Sequence, residues 1–495
     1  MRGKRLARNT ISSLVFQVTT IICGFILPKL ILNYFGSEVN GLVNSITQFL
    51  QIIAFLELGV GAVVQSSLYK PLAEKDNTSI SEIIASADKF FNRLARILAV
   101  YIVVLVIVYP YLANQNFGWS YTAGLIAAMS ISSFAQYYFG VVDRLLLTAD
   151  QKGYIQYNAQ TITLILNTIT CAVLICLGAS IHLVKLTTSV IYLARPAAIR
   201  IYVNKNYRID RKIQYTGEPI KQKWNGVAQH VSAVVLDGTD SIILTVFSTL
   251  SDVSIYSVYH LVIYGIKQLF TSMTRGVQSL LGELWAKQEL DELKKIFSLT
   301  EWAIHTGTVF VFGCTGILIL PFVQVYTNGV ADADYYQPLF AVLITMAQAA
   351  HSLRLPYNIM ILAAGHYKQT QNNYIISAVL NIVISIIAVN IWGLTGVAIG
   401  TLAAMSYQTI WMAVYDFRCI MKSSMGTFFR QLSADAITVI AVVICTRWIH
   451  MNGISYAEWI VMAIKTTVVS GAVVIGINCL FYKEKIVYVL KKIKK

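Results

Sequence analysis

Five polar residues, His260, Tyr264, Lys267, Thr271 and Arg275, recur at intervals of three and four within a largely apolar stretch of this 495-residue chain. On a helix that spacing gathers them on one face. In a soluble protein such a face would be solvated; inside an apolar span it must line water or another helix. Its cations suit an anionic ligand, because arginine makes paired hydrogen bonds to phosphate oxygens and lysine supplies a point charge. Lys29 in CGFILPKLILNYFG and Arg354 before Pro356 are two more cations set among apolar residues. Lys29 either faces a cavity or snorkels to an interface, and Arg275 either lines a cavity or anchors at the membrane surface. Pro28 removes a backbone donor and makes either a flexing point or a passive kink. Asp237 and Asp240 share one helix face. They either balance Lys267 or Arg275, or bind a coupling H⁺ or Na⁺. Glu57 in ELGVG reads as a structural contact, with ion coupling as its alternative.

The elements that must position these residues follow from composition. Hydrophobic residues make up 56% of the chain and charged residues 13%, with a mean hydropathy of +0.62. That leaves too little polar surface to cover a soluble protein of this size. Runs of about 20 apolar residues, long enough to cross a hydrocarbon core of ~30 Å as helices, recur throughout. An all-α polytopic membrane protein with about fourteen spans is expected. The spans begin near Ile11, Val39, Ile97, Tyr121, Ile155, Ile181, Gly226, Ser254, Trp302, Leu339, Asn373, Leu394, Ser433 and Ala457. The first apolar run is too long for a cleavable signal and lacks a small-residue cleavage site. Most of the 39 Lys and Arg fall in alternate gaps: 2–8, 70–96, 144–152, 195–223, 287–295, 354–368, 418–430 and the tail from 483. Positive gaps stay inside, so both termini are expected in the cytoplasm, which requires an even number of spans. The same distribution reads the net charge of +15 as orientation in a membrane and not as nucleic-acid binding. The seven cysteines form no metal-ligand pattern and read as small hydrophobes in helix packing.

A duplication is also legible. LILNTITCAVLICLG, with Asn167 and Gly178, matches AVLNIVISIIAVNIWG, with Asn381 and Gly393, at nearly the same interval. ILNYFGSEVNGLVNSI likewise faces ILTVFSTLSDVSIYSV. The expected organisation is a six-helix lobe over 1–203, a basic cytoplasmic linker over 204–224 and a second six-helix lobe over 225–419. Two extra spans and a basic amphipathic tail would follow over 420–495. An even number of spans per copy gives both copies one orientation. The tail KEKIVYVLKKIKK and the segment carrying Ile80, Ile83, Ile84 and Phe90 both read as helices lying on the membrane surface. The glycines of GLTGVAIG read as sites of close helix packing.

The stretch FGSEVNGLVNSITQFLQIIAFLELGVGAVVQSSLYKPLAEKD, residues 35–76, resembles the second-helix signature of polysaccharide (Wzx-like) flippases. These belong to the multidrug/oligosaccharidyl-lipid/polysaccharide exporter (MOP) superfamily. The resemblance implies two lobes in a V around a central cavity that opens alternately to each side. It implies a cargo of polyprenyl-pyrophosphate-linked oligosaccharide, moved from the inner to the outer leaflet of a bacterial-type cytoplasmic membrane for surface polysaccharide synthesis. Lys29, Lys267, Arg275 and Arg354 would then receive the pyrophosphate. No cofactor is implied beyond coupling to a H⁺ or Na⁺ gradient. The implied partners are membrane lipids and the polymerase and glycosyltransferases of the same route. In related peptidoglycan-precursor flippases the last two helices form a groove for the lipid tail, and the first helix carries arginines. Here Leu27 falls near such a position, with Lys29 two residues on, which argues against a peptidoglycan precursor.

Two rival readings remain. A multidrug cation antiporter of the same superfamily would need an acidic or aromatic cavity. A polytopic glycan polymerase or glycosyltransferase would need catalytic groups in sizeable outer loops, and the outer loops here are short, with no acid pair at general acid–base spacing.

Overall fold

The structure, a computed structural model, describes residues 2–52, 54–113, 117–215, 217, 219 and 227–493. Of these, the side chains at 2–7, 54–59, 62, 227–233, 237, 275–276, 489–490 and 492–493 are not described. The side chains of Glu57, Asp237 and Arg275 therefore lie outside the described residues. All regular structure among the described residues is helical. The elements are α1 (Arg2–Gln51), α2 (Ala54–Glu74), α3 (Asn77–Leu112), α4 (Trp119–Ala135), α5 (Val141–Ala149), α6 (Gly153–Cys176), α7 (Ile181–Asn206) and α8 (Val227–Phe247). They continue with α9 (Leu250–Ala286), α10 (Leu290–Tyr326), α11 (Pro338–Ala363), α12 (Tyr367–Trp392), α13 (Leu394–Tyr415), α14 (Gly426–Thr446), α15 (Tyr456–Phe481) and α16 (Lys483–Ile493). Single π turns, Gln136–Gly140 and Asp416–Ile420, follow α4 and α13.

Nine membrane-spanning candidates, long and apolar enough to cross a bilayer, occur among the described residues. Hydrocarbon offers no water to the backbone, so a spanning segment must satisfy its own amides, which favours unbroken helix. Hydroxyls inside the spans follow the same rule. Thr47, Thr315 and Thr438 each donate to the carbonyl four residues earlier, at 2.7, 2.7 and 2.6 Å. Some helix starts in the connections are capped by side chains: the Asp76 carboxylate accepts from the amides of Thr78 and Ser79, and Ser455 accepts from Glu458 N–H.

The structure refines or departs from the sequence reading in four places. Pro28 sits in helical backbone, and the break in α1 falls at Gly36 (φ 83, ψ 175), where a side chain would be strained. Residues 77–96 are not a separate surface helix but the start of α3. Ile80, Ile83, Ile84 and Phe91 are buried against Val60, Val64, Leu68, Val142 and Leu146. That amphipathic face was made for protein, and hydropathy alone does not tell protein from lipid. Thirdly, several gaps read as loops are helix: Arg144 lies in α5, Arg195 and Arg200 in α7, and Arg354 in α11. Hydropathy marks where hydrocarbon ends, whereas a helix continues until something breaks it. Fourthly, Cys176, Cys419, Cys445 and Cys479 are exposed on the protein surface, so only Cys23, Cys171 and Cys314 pack inside.

The chain divides into two compact units, Met1–Val234 with Thr249–Ser254, and Val235–Ser248 with Ile255–Lys495. In the first, α1 packs on α6, α6 on α7, and α4 on α7. In the second, α11 and α12 pack on α13, while α14 and α15 pack on each other and on α10. Asn167 of α6 and Asn381 of α12 are both buried, and glycines of positive φ, Gly178 and Gly393, follow both helices. The approach of α12 to α13 depends on missing side chains. A Cβ at Gly396 would lie 2.2 Å from the Ala388 backbone, and one at Gly400 would lie 2.1 Å from Ser385 Oγ.

Candidate anion cavity

The first unit encloses a cavity of about 320 Å³. One wall is a stripe of α7: Lys185, Ser189, Tyr192, Arg195 and Ile199 recur at intervals of three and four, with Thr188 beside them. A second wall carries Gln136 and Gly140 of the π turn and Arg144 of α5, at intervals of four. A π turn inserts an extra residue into the helical repeat and so re-aims the side chains beyond it, which is why such turns recur at functional sites. Gln156 and Gln160 of α6 and Ser132 and Ser133 of α4 add amide and hydroxyl groups.

Arg195 is held in one orientation. Its Nε donates to Thr163 Oγ1 at 2.6 Å, and its guanidinium carbon lies 3.6 Å from the centre of the Tyr192 ring. Stacking on an aromatic face fixes the plane of the guanidinium fork. Gly140 admits α7 closely, since a Cβ there would lie 2.9 Å from Pro196 Cβ.

The lining holds three cations, Arg144, Lys185 and Arg195, and no carboxylate among its described residues. The acid next to Arg144, Asp143, is fully buried elsewhere. It pairs with Arg200 at 3.1 Å and with Arg211 from the segment after α7. Arg211 also donates to Asp88 at 2.6 Å. Burial alone would lower its affinity for a proton, but Asp88 and Asp143 more than offset this and hold the guanidinium above its ordinary value. The two carboxylates are thereby tied to the linker. What remains in the cavity is a set of fixed positive charges with hydrogen-bond donors around them. Such a set can bind a phosphate-type anion.

The residues expected from sequence are distributed differently. Lys29 is half-buried in α1 and is not among the residues lining the cavity. Lys267 and Arg354 are both buried in the second unit. Arg354 Nη2 lies 2.8 Å from His351 Nδ1, and the same imidazole is within electrostatic reach of Lys267. Those two cations are thus brought together. Of the α9 stripe, Thr271 donates to the Lys267 carbonyl at 3.0 Å, and His260 stacks with both Tyr256 and Tyr264. Asp240 is buried and accepts from Tyr256 at 3.0 Å and from Thr401 at 2.8 Å. Thr401 also receives Asn381 at 3.1 Å, and Thr239 donates to Asn381 at 2.8 Å. No group of three or more metal-ligating side chains occurs among the described residues.

Arg144, Lys185 and Arg195 did not stand out in the sequence. The α7 stripe was there to be found by the same three-and-four spacing that marks α9, but Arg195 sits at the edge of an apolar run and reads as a loop cation.

No family model and no curated protein matches the chain. Solved structures do. The lipid II flippase MurJ in its inward closed conformation matches with a TM-score of 0.70 at 14% identity, over 97% of this chain and 99% of that one. The fold is that of the MOP-superfamily transporters. An inward-facing multidrug resistance MATE transporter of that superfamily matches with a TM-score of 0.64 at 14% identity, over 82% and 94% of the two chains. A MOP-superfamily transporter from Pyrococcus furiosus matches at 0.58 and 13% identity, over 85% and 97%, and is described as having a binding pocket of reverse polarity that suggests a different function.

Proposed function

We propose that this protein is a flippase that moves polyprenyl-pyrophosphate-linked oligosaccharide from the inner to the outer leaflet of a bacterial-type cytoplasmic membrane. In this reading it has about fourteen spans, cytoplasmic termini and an alternating-access cycle. The observation that carries the reading is the cavity of the first unit, whose charged lining residues are Arg144, Lys185 and Arg195. A pyrophosphate diester carries its charge on oxygens that need such donors, and a protein lining that replaces its water shell must supply them. The fold supports transport of a lipid-linked or amphipathic cargo without choosing between them, because MurJ and the MATE transporters share it.

The rival within that fold is a multidrug cation exporter. Three fixed cations with no lining acid repel a cationic drug, by about 4 kcal/mol per pair at 4 Å for an effective dielectric of 20. Lys267 and Arg354 supply further positive charge in the second unit, while Lys29 and Arg275 belong to the same proposal as contacts made at another stage of the cycle. Coupling to H⁺ or Na⁺ would involve Asp240, with Asp237 and Glu57 as further candidates.

The test is reconstitution in vesicles with a fluorescent short-chain polyprenyl-pyrophosphate glycan and a separate cationic dye. Movement of the glycan lipid without dye transport is the expected result. Dye transport with no glycan-lipid movement would overturn the proposal in favour of a drug antiporter.

A further inference from the structure

The second unit contains a buried ionisable cluster that the transport cavity does not use. Tyr357 of α11 is fully buried and donates to Glu301 Oε1 at 2.7 Å. His305, one turn along α10 from Glu301, lies 3.2 Å from the Tyr357 hydroxyl through Nε2 and 2.6 Å from Asp435 Oδ2 of α14 through Nδ1. Gln431 donates to the other Asp435 oxygen at 3.0 Å. Since the tyrosine proton goes to Glu301, the imidazole must itself donate to the tyrosine oxygen through Nε2. One further proton then sits between His305 and Asp435, so that pair is neutral as a whole.

Asp416 completes the cluster. It opens the π turn after α13, is fully buried, and interacts electrostatically with Glu301 and Tyr357. Neither of its carboxylate oxygens has a hydrogen-bond partner among the described residues. The charged groups that reach the cluster from the other elements are Lys485 of α16 and Arg430 of α14, at its edge. Lys485 donates to the Ser298 carbonyl at 2.9 Å and feels both Glu301 and Arg430, and Arg430 donates to the Phe481 carbonyl at 3.0 Å. From the α15 side come Asn478, which accepts from Trp302 and Thr306, and the tyrosine that ends the helix, Tyr482, which feels Asp435, Glu301 and Arg430.

Ionised together, Glu301 and Asp416 would be two buried negative charges close to each other, one of them without a single donor. That arrangement is costly in a low-dielectric interior, and sharing a proton removes the cost. A purely mechanical fastening of α14 to α10 would need only neutral partners such as Gln431 and Asn478.

We propose that Asp416, Glu301, Tyr357, His305 and Asp435 form a proton-binding site, with the bound proton on the Asp416 carboxyl. A small cavity of about 10 Å³, room for roughly one water, borders Asp435 together with Gln431, Asn478 and Tyr482. It gives the chain Asp435–His305–Tyr357–Glu301 an end at which protons exchange, and Asp416, which shares no hydrogen bond with that chain among the described residues, exchanges its proton with Glu301 when the two carboxyls approach. The ligand is a proton, no covalent bond changes, and each hop along the chain passes one proton on and receives another.

The experiment is infrared difference spectroscopy of the purified full-length protein near neutral pH. A carbonyl stretch of a protonated carboxylic acid, shifted in D₂O and lost in Asp416→Asn, is the expected result. Glu301→Gln leaves Asp416 in place and is expected to shift the frequency of the same band, which keeps the test open if Asp416→Asn does not fold. A folded Asp416→Asn with the wild-type carboxyl spectrum would overturn the proposal. So would a Glu301→Gln spectrum with that band unmoved. Neither readout depends on what the protein transports.

Discussion

Lys185 offers the sharpest test of the anion cavity. Its ammonium projects from the α7 stripe into a lining without acids, so removing it deletes one of three fixed charges and leaves the helix intact. A hydrogen bond to a charged group contributes about 1.5–3 kcal/mol, and each 1.4 kcal/mol is tenfold in affinity. Lys185→Ala is therefore expected to weaken binding of a short-chain polyprenyl pyrophosphate roughly 10- to 100-fold. Arg195→Lys keeps the charge but loses the fork and its stacking on Tyr192, so a smaller loss, about tenfold, is expected there. Binding is measured by titration of the purified protein in detergent, with the melting temperature of each variant as the check on folding. Lys70, an exposed lysine near Glu74, is the control, and Lys70→Ala should stay within about twofold of wild type. Wild-type affinity in both Lys185→Ala and Arg195→Ala, with melting unchanged, would refute the assignment of the cavity.

Gly396→Ala should be among the more damaging single changes in the second unit, because the neighbour at 2.2 Å is backbone and has nowhere to turn. A loss of about 1–3 kcal/mol, read from thermal unfolding, is expected. Arg211→Ala takes the partner from Asp88 and leaves Asp143 with Arg200 alone; breaking a buried pair costs about 3–5 kcal/mol, and the partial exposure of Arg211 reduces this to roughly 2 kcal/mol. Protease cleavage of the linker should increase in that variant. At Asp76 the Ser79 hydroxyl and amide hold the carboxyl below its ordinary value. The cap thus contributes stability in full above the unfolded value of about 3.9, and loses it as pH falls through the lower folded value. The protection factors of the Thr78 and Ser79 amides, measured against intrinsic exchange at the same pH, should fall on acidification in wild type and be low at all pH in Asp76→Ala.

Much of the architecture was legible because the solvent is hydrocarbon. Apolar run length and the glycines of GLTGVAIG are one-dimensional signals, and each rests on a local rule. Pro28 keeps helical backbone because a proline in a membrane helix is tolerated by its surroundings, whereas Gly36 breaks the helix through its own backbone freedom. Ile80, Ile83 and Ile84 misled because an amphipathic face reports that something apolar covers it, not what.

The sites were harder to read, since they are built from distant segments. Lys185 and Arg195 share a helix, and their stripe was visible in principle; Arg144 joins them only through a π turn and the packing of α4 on α7. Glu301 and His305 are neighbours on α10, but no spacing rule brings Asp416, Asp435 and Tyr357 to them.

The sequence by itself determined the solvent, the helical class and the number of fixed positive charges, because hydropathy and charge act residue by residue. Only the tertiary structure decided which charges share a cavity and which carboxylates meet without donors. Those outcomes depend on the rotation of each helix about its axis, and that rotation is set by packing against neighbours far away in the chain.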